Sequence, residues 1–225
     1  MEIIALFLAV LVGTVLVLIL KPKAAIVSLL LTFSGAYLLS ITVLKLFPEI
    51  YAKSDGSGIA IGVFVIIGLV TQLILDFFSK GAEHGHVHSL DTQYFPWALF
   101  ISLNIHAFME GLPLSDHNHD DLLWAIVIHK VPIAMVLASF LTHFKSNKWY
   151  SILFLLVFAS MSPLGTLVGG KVDFLITYSN QINAIVAGVF LHIATIILFE
   201  TSKDHRFDFL KFTALLVGVA LALFM

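Results

Sequence analysis

Hydrophobic positions in this chain fall into long runs that short polar stretches separate. A run of about 20 apolar residues crosses a hydrocarbon core of about 30 Å as a helix, which satisfies its own backbone groups in lipid. Lys21 and Lys23 follow the first run instead of preceding it, so we interpret that run as a transmembrane helix and not as a signal peptide. The pattern predicts eight spans, at residues 2–20, 24–47, 58–80, 94–115, 121–143, 149–170, 180–200 and 207–225.

Composition strengthens this interpretation. Hydrophobic residues make up 60% of the chain and charged residues 12%, and the mean hydropathy is +1.03, which leaves too little polar material to cover a soluble globule. We therefore expect an all-α integral membrane protein with one transmembrane domain over residues 1–225. The net charge of -2 provides no basic surface for nucleic acid, and the absence of Cys excludes thiolate ligands and a Cys nucleophile.

The distribution of lysine and arginine predicts the orientation. If the N-terminus lies outside, Lys53 and Lys171 are the basic residues of the outer loops. The basic residues in or beside cytoplasmic loops are then Lys21, Lys23, Lys80, Lys145, Lys148, Lys203, Arg206 and Lys211. Because basic residues are enriched in cytoplasmic loops, we expect a multi-pass protein of the cell membrane with both termini outside and loop 81–91 in the cytoplasm.

Two polar residues in the fourth span suggest the chemistry. His106 and Glu110 are four residues apart, so on a helix their side chains lie one turn apart on the same face. An ionised carboxylate at this depth costs about 2.5–3.5 kcal/mol on insertion scales, and a bound divalent cation would offset that. Imidazole and carboxylate are both good ligands for zinc, and His129 occupies the next span. The sequence predicts a metal site between helices four and five.

Lys130, beside His129, is a lysine at mid-membrane depth, where charges are kept when they are paired or functional. At about 4 Å from a divalent cation its ammonium would repel the ion by roughly 8 kcal/mol at an effective dielectric of 20. We interpret Lys130 as the substitute for a second metal ion, which could pair with Glu110 when no metal is bound. The alternative is a lysine that extends along its helix towards the membrane surface.

Other candidate ligands lie in loops. A His-alternating tract follows the third span, and a second polar tract follows the fourth. Each is interpreted either as a metal contact or as a solvated connection. These possible exit and entrance ligands are His84, His86 and His88 in the cytoplasmic loop and Asp116, His117 and His119 in the outer loop. For His192, in the seventh span, we favour a histidine satisfied by its neighbours over a metal ligand.

Fragments along nearly the whole chain resemble the ZIP (Zrt/Irt-like) family of divalent metal transporters. The run His106-Ala-Phe-Met-Glu110-Gly111 resembles the fourth-helix pattern His-Asn-x-Pro-Glu-Gly of that family, and Ile128-His-Lys-Val-Pro-Ile133 resembles its fifth-helix counterpart. Further similar fragments are Phe33-Ser-Gly-Ala36 with Leu46-Phe-Pro-Glu49 in span two, Ser162-Pro-Leu-Gly165 in span six and Ala187-Gly-Val-Phe-Leu-His192 in span seven.

The resemblance implies a homodimeric transporter with eight helices, which moves zinc or a related ion towards the cytoplasm by alternating access. The family pattern often supports two adjacent metals, whose ligands this chain matches only in His106, Glu110 and His129. The departures from the pattern are Ala107, Lys130, Ile133 and Ser162. We therefore expect one Zn²⁺, or one iron, manganese or cadmium ion, as the transported substrate.

A membrane-embedded metal-dependent hydrolase is the competing interpretation. Three protein ligands and an open position suit a metal that activates water. However, the chain has no His-Glu-x-x-His sequence and no second carboxylate beside the site to act as a general base. We therefore favour a transporter over an enzyme.

Overall fold

The computed structural model of this protein describes residues 1–54, 58–79, 96–115, 120–143, 148–200 and 208–224, and every regular element within these ranges is a helix. Two of these elements are short turns of other helix types, a π-helical turn at Thr42–Leu46 and a 3-10 turn at Leu112–Ser115. The α-helices are α1 (Glu2–Leu20), α2 (Ala24–Ile41), α3 (Phe47–Ala52), α4 (Gly58–Ser79), α5 (Trp97–Gly111), α6 (Asp120–His143), α7 (Lys148–Gly169), α8 (Asp173–Thr177), α9 (Ser179–Glu200) and α10 (Phe209–Leu223).

Within the described ranges, six helical segments are long and apolar enough to cross a membrane: α1, the continuous segment from α2 to α3, α4, α6, α7 and α9. This confirms the prediction of an all-α, multi-pass membrane protein. The other two predicted spans correspond to α5 and α10, which have 15 residues each. Because 15 helical residues extend about 22 Å, shorter than a core of about 30 Å, the count of eight spans stays a prediction.

Proline has different effects in different helices. Pro48 has no N–H and its ring crowds the carbonyl one turn earlier, and the chain accommodates it with the wide π-helical turn, in which Phe47 N–H donates to the Thr42 carbonyl. By contrast, Pro132 and Pro163 lie inside α6 and α7 without ending either helix. The segment that carries the predicted histidine, lysine and proline of the fifth span is therefore one uninterrupted helix.

Helix α6 has a central position, since it packs against α1 on one side and α2 on another. Helices α5 and α7 form a second close pair. A Cβ atom at Gly111 would collide with the Ser162 carbonyl, and one at Gly165 would collide with the Phe108 carbonyl, so the backbones of α5 and α7 touch. Side chains of α2, α5 and α7 each contact a side chain of α6 in the interior of the bundle.

Candidate metal site between helices α5 and α6

His106 and Glu110 lie on one face of α5, as their spacing predicted, and both side chains are buried. His106 Nε2 is 3.0 Å from Glu110 Oε1. At this distance the imidazole and the carboxylate contact each other directly. Ligand atoms at about 2.0–2.2 Å from a tetrahedral zinc ion lie about 3.3–3.6 Å from each other. A small separation of the two groups would therefore admit a cation between them.

The second carboxylate oxygen of Glu110 has a different neighbour. Lys130 Nζ, from α6, donates to Glu110 Oε2 at 2.5 Å, and both side chains are 1% exposed. The same ammonium lies 5.1 Å from the centre of the Phe158 ring on α7. Lys130 therefore does not extend to the membrane surface, and that alternative is wrong. The pairing expected for a metal-free site is present.

His129 lies beside this pair on α6 and is fully buried. Its Nδ1 is 3.3 Å from the Ser34 hydroxyl on α2, and its ring is close enough to Glu110 to interact with it electrostatically. Within the described part of the chain, however, no three His, Asp or Glu side chains are arranged to hold a metal ion. The structure thus brings His106 and Glu110 together and leaves His129 next to them, without completing a three-ligand set.

Hydroxyls of α7 bind the backbone of α5 behind the site. Ser162 Oγ donates to the Ala107 carbonyl at 2.6 Å, and Thr166 Oγ donates to the Gly111 carbonyl at 3.0 Å. Ile133 is 1% exposed and belongs to the apolar core that surrounds these groups. At the four positions where the chain departs from the two-metal pattern, the side chains therefore provide no second set of ligands. They are the methyl group of Ala107, the ammonium of Lys130, the aliphatic chain of Ile133 and the hydrogen-bonded hydroxyl of Ser162.

Other predicted ligands lie elsewhere. His192 is 7% exposed within α9, and the interpretation that its neighbours satisfy it stays a prediction. At the N-terminal end of α6, Lys45 Nζ is 3.2 Å from Asp121 Oδ2, and both residues line a cavity of about 340 Å³ that Glu49 also lines. The loop candidates fall outside the described residues: His84, His86, His88, Asp116, His117 and His119.

Sequence reasoning missed Ser34 and Phe158. Hydroxyls of Thr32, Ser40 and Thr42 on the same segment as Ser34 donate to carbonyls of their own helix. Ser34 also donates to a carbonyl of its own helix, so nothing in the sequence distinguishes Ser34 from these three residues. Phe158 is one of 20 phenylalanines, and only the packing of α7 places its ring beside the lysine.

The fold and this buried cluster define a helical membrane protein with an ionisable site inside its bundle. Comparison with known sequences identifies the family, because the model of the family described as ZIP Zinc transporter matches residues 80–225. The chain belongs to this family, as the resemblance predicted. It is also 29% identical over 164 residues to Protein zntD of Dictyostelium discoideum. That match covers 62% of this chain and 24% of zntD, so the chain spans about a quarter of its relative.

Proposed function

We propose that this protein transports a divalent metal ion, zinc first, across the cell membrane towards the cytoplasm. One observation supports this most directly: Glu110 Oε1 and His106 Nε2, a carboxylate oxygen and an imidazole nitrogen, face each other 3.0 Å apart inside the bundle. A buried carboxylate oxygen in such a position is stabilised by a cation. His106, Glu110 and His129 are the proposed ligands. The family's description as zinc transporters agrees with this function and gives no support to a hydrolase.

His129 completes the proposed site through a small rearrangement. Its ring already lies beside Glu110, whereas the Lys130 ammonium occupies Glu110 Oε2. Arrival of a divalent cation at Oε1 repels that ammonium, by roughly 8 kcal/mol at about 4 Å and an effective dielectric of 20. Displacement of Lys130 then opens space for His129 Nε2 to reach the ion.

The same ammonium limits the site to one metal ion. Two divalent ions and a lysine cannot share one carboxylate at these distances, because each ion repels both other cations. When no metal is bound, Lys130 neutralises Glu110, so the empty carrier reorients without an unpaired buried charge. We therefore propose alternating access with a single-metal site. Anomalous diffraction at the zinc edge should show one peak between α5 and α6, and a second peak bonded to Glu110 would contradict this.

Uptake into proteoliposomes tests the proposed transport. Purified protein should take up radioactive zinc in a saturable manner, and the His106→Ala variant should not. Competition by iron, manganese and cadmium then ranks the substrates, since imidazole and carboxylate ligands suit several of these ions. Absence of uptake by the wild-type protein, together with metal-dependent hydrolysis of a lipid or peptide, would favour the enzyme instead. A linear dependence on zinc concentration would indicate a channel.

The proposed topology has eight spans, and both termini lie outside. Asn180 Nδ2 donates to the Ile50 carbonyl at 3.1 Å, and Gly58 lies against Tyr51. Helices α4 and α9 therefore begin at the end of the molecule where α3 ends. The predicted outer lysines, Lys53 and Lys171, flank these connections, which supports the assignment of that end to the outside.

The absence of native Cys makes the orientation testable by labelling. A Ser89→Cys variant should resist an impermeant thiol reagent on intact cells and react after permeabilisation. A Ser54→Cys variant is the control at the opposite end and should react on intact cells. Labelling of Ser89→Cys on intact cells would reverse the proposed orientation. Crosslinking of the purified protein in detergent tests the proposed homodimer.

A further inference from the structure

Ser34 differs from the other buried hydroxyls of its helix in what it contacts. Its side chain is 1% exposed, and its Oγ lies 3.1 Å from the Leu31 carbonyl and 3.3 Å from His129 Nδ1. The contact with His129 crosses from α2 to α6, over 95 positions in the chain. A serine of α2 therefore touches a proposed metal ligand without belonging to the proposed ligand set.

The two contacts of this hydroxyl fix the direction of the bond to His129. A serine hydroxyl has one proton and two lone pairs. The Leu31 carbonyl can only accept, so it takes the serine proton, and Oγ then presents a lone pair to His129. On this basis we assign the hydrogen of His129 to Nδ1, since the ring nitrogen donates to the hydroxyl only in that tautomer. In this tautomer the lone pair of a neutral ring lies on Nε2.

We infer that Ser34 is a positioning residue for the transported metal, which acts through His129; this inference rests on the proposed function. By accepting the Nδ1 hydrogen, Ser34 selects the tautomer whose Nε2 lone pair can bind a divalent cation, and it limits rotation of the ring. Outer partners of ligating histidines fix ring orientation in this way, and their removal typically weakens metal binding by about 10- to 100-fold.

Ser40 provides a matched control for Ser34. It lies on the same helix, is 8% exposed, and donates to the Ala36 carbonyl at 2.8 Å. Substitution of either serine by Ala removes one buried hydroxyl and one bond to the helix backbone. Only Ser34→Ala also removes the contact with His129. A difference between the two variants therefore reports that contact and not the loss of a hydroxyl from α2.

Zinc binding tests the inference, measured by competition with a chelating dye on wild-type protein and on four variants. Ser34→Ala should bind zinc about 10- to 100-fold more weakly, and Ser40→Ala should bind as the wild type does. In the His129→Ala background, adding Ser34→Ala should have no further effect, because Ser34 acts only through that ring. Equal affinity of Ser34→Ala and wild type, or an additive loss in the double variant, would overturn the inference.

Nitrogen NMR of histidine-labelled protein gives a readout that a purely structural role would not change. The His129 signal, assigned by its loss in His129→Ala, should show hydrogen on Nδ1 in the metal-free wild type and in Ser40→Ala. In Ser34→Ala it should shift towards hydrogen on Nε2. Hydrogen on Nε2 in the wild type contradicts the inference. This measurement does not depend on transport, so a failure of zinc uptake by the wild type would overturn the proposed function separately.

Discussion

Among the residues that the structure describes, two lysine–carboxylate pairs involve α6, and they differ in environment. Lys45 and Asp121, at the N-terminal end of the helix, are 3.2 Å apart with side chains 47% and 35% exposed. Lys130 and Glu110 are 2.5 Å apart in the bundle, and both are 1% exposed. An exposed pair typically contributes about 0–1 kcal/mol, whereas breaking a buried pair costs about 3–5 kcal/mol. The same two kinds of charged group therefore contribute very differently to stability, depending on whether they are buried.

The difference indicates why each pair exists. Replacing a whole buried ion pair by apolar residues of similar volume is often neutral or stabilising, so stability alone does not explain a pair at this depth. The buried pair involves the carboxylate that also faces His106. The proposed role in accepting and releasing a cation would explain its presence, and the exposed pair needs no such role.

The largest effect is expected for Glu110→Gln. This change removes the ligand charge and leaves the Lys130 ammonium buried without its carboxylate partner. Zinc uptake should be lost, and the free energy of unfolding in detergent should fall by about 3–5 kcal/mol. Glu49→Gln is the control, because Glu49 pairs with Lys53 at 2.7 Å at an exposed position. Near-normal uptake by Glu110→Gln would remove this residue from the site.

The double variant Glu110→Gln/Lys130→Met separates the loss of zinc uptake from the loss of stability. Both charges are gone, so the free energy of unfolding should return to within about 1 kcal/mol of the wild type. Uptake should stay absent, because the charged ligand is still missing. If stability does not recover, the buried pair does not account for the loss in the single variant.

Lys130→Met tests the opposite half of the pair. Without the ammonium, a divalent ion at Glu110 meets no repulsion, and zinc affinity should rise at least about tenfold. The maximal uptake rate should fall, because the empty site now carries an unneutralised carboxylate during reorientation. Chelator competition and initial uptake rates measure the two quantities. Weaker zinc binding together with unchanged folding would contradict the role assigned to Lys130.

The smallest effect is expected for Lys45→Ala. The pair with Asp121 is partly exposed and therefore screened by salt. The free energy of unfolding should change by less than about 1 kcal/mol, and the change should shrink further between low and high ionic strength. A loss comparable to that of Glu110→Gln would mean that burial does not distinguish the two pairs.

The sequence predicted the helices and part of the site. Apolar runs locate membrane helices because lipid requires continuous hydrophobic length, and the spacing of His106 and Glu110 determines their shared face. The short length of α5 was not predicted: hydrophobicity continues past Gly111, but the chain changes there to a 3-10 turn at Pro113. Apolar length alone does not show such a change in backbone geometry.

Contacts between helices that are distant in the chain were harder to predict from the sequence. The pairing of Lys130 with Glu110 could be anticipated, because opposite charges at one depth on adjacent spans have few other partners. The contact of Ser34 with His129 could not, since a helical serine can satisfy itself on its own backbone. The position of Phe158 depends on how α7 packs on α5.

The joint between α5 and α7 has a mechanical consequence. Two hydroxyl bonds, from Ser162 and Thr166, and direct backbone contact at Gly111 hold the two helices at fixed register. Glu110 and Phe158 therefore belong to one packed pair of helices, whereas Lys130 belongs to α6. A movement of α5 and α7 together relative to α6 would shift the partner carboxylate and the neighbouring ring of Lys130 at the same time, and the ring now lies 5.1 Å from its ammonium.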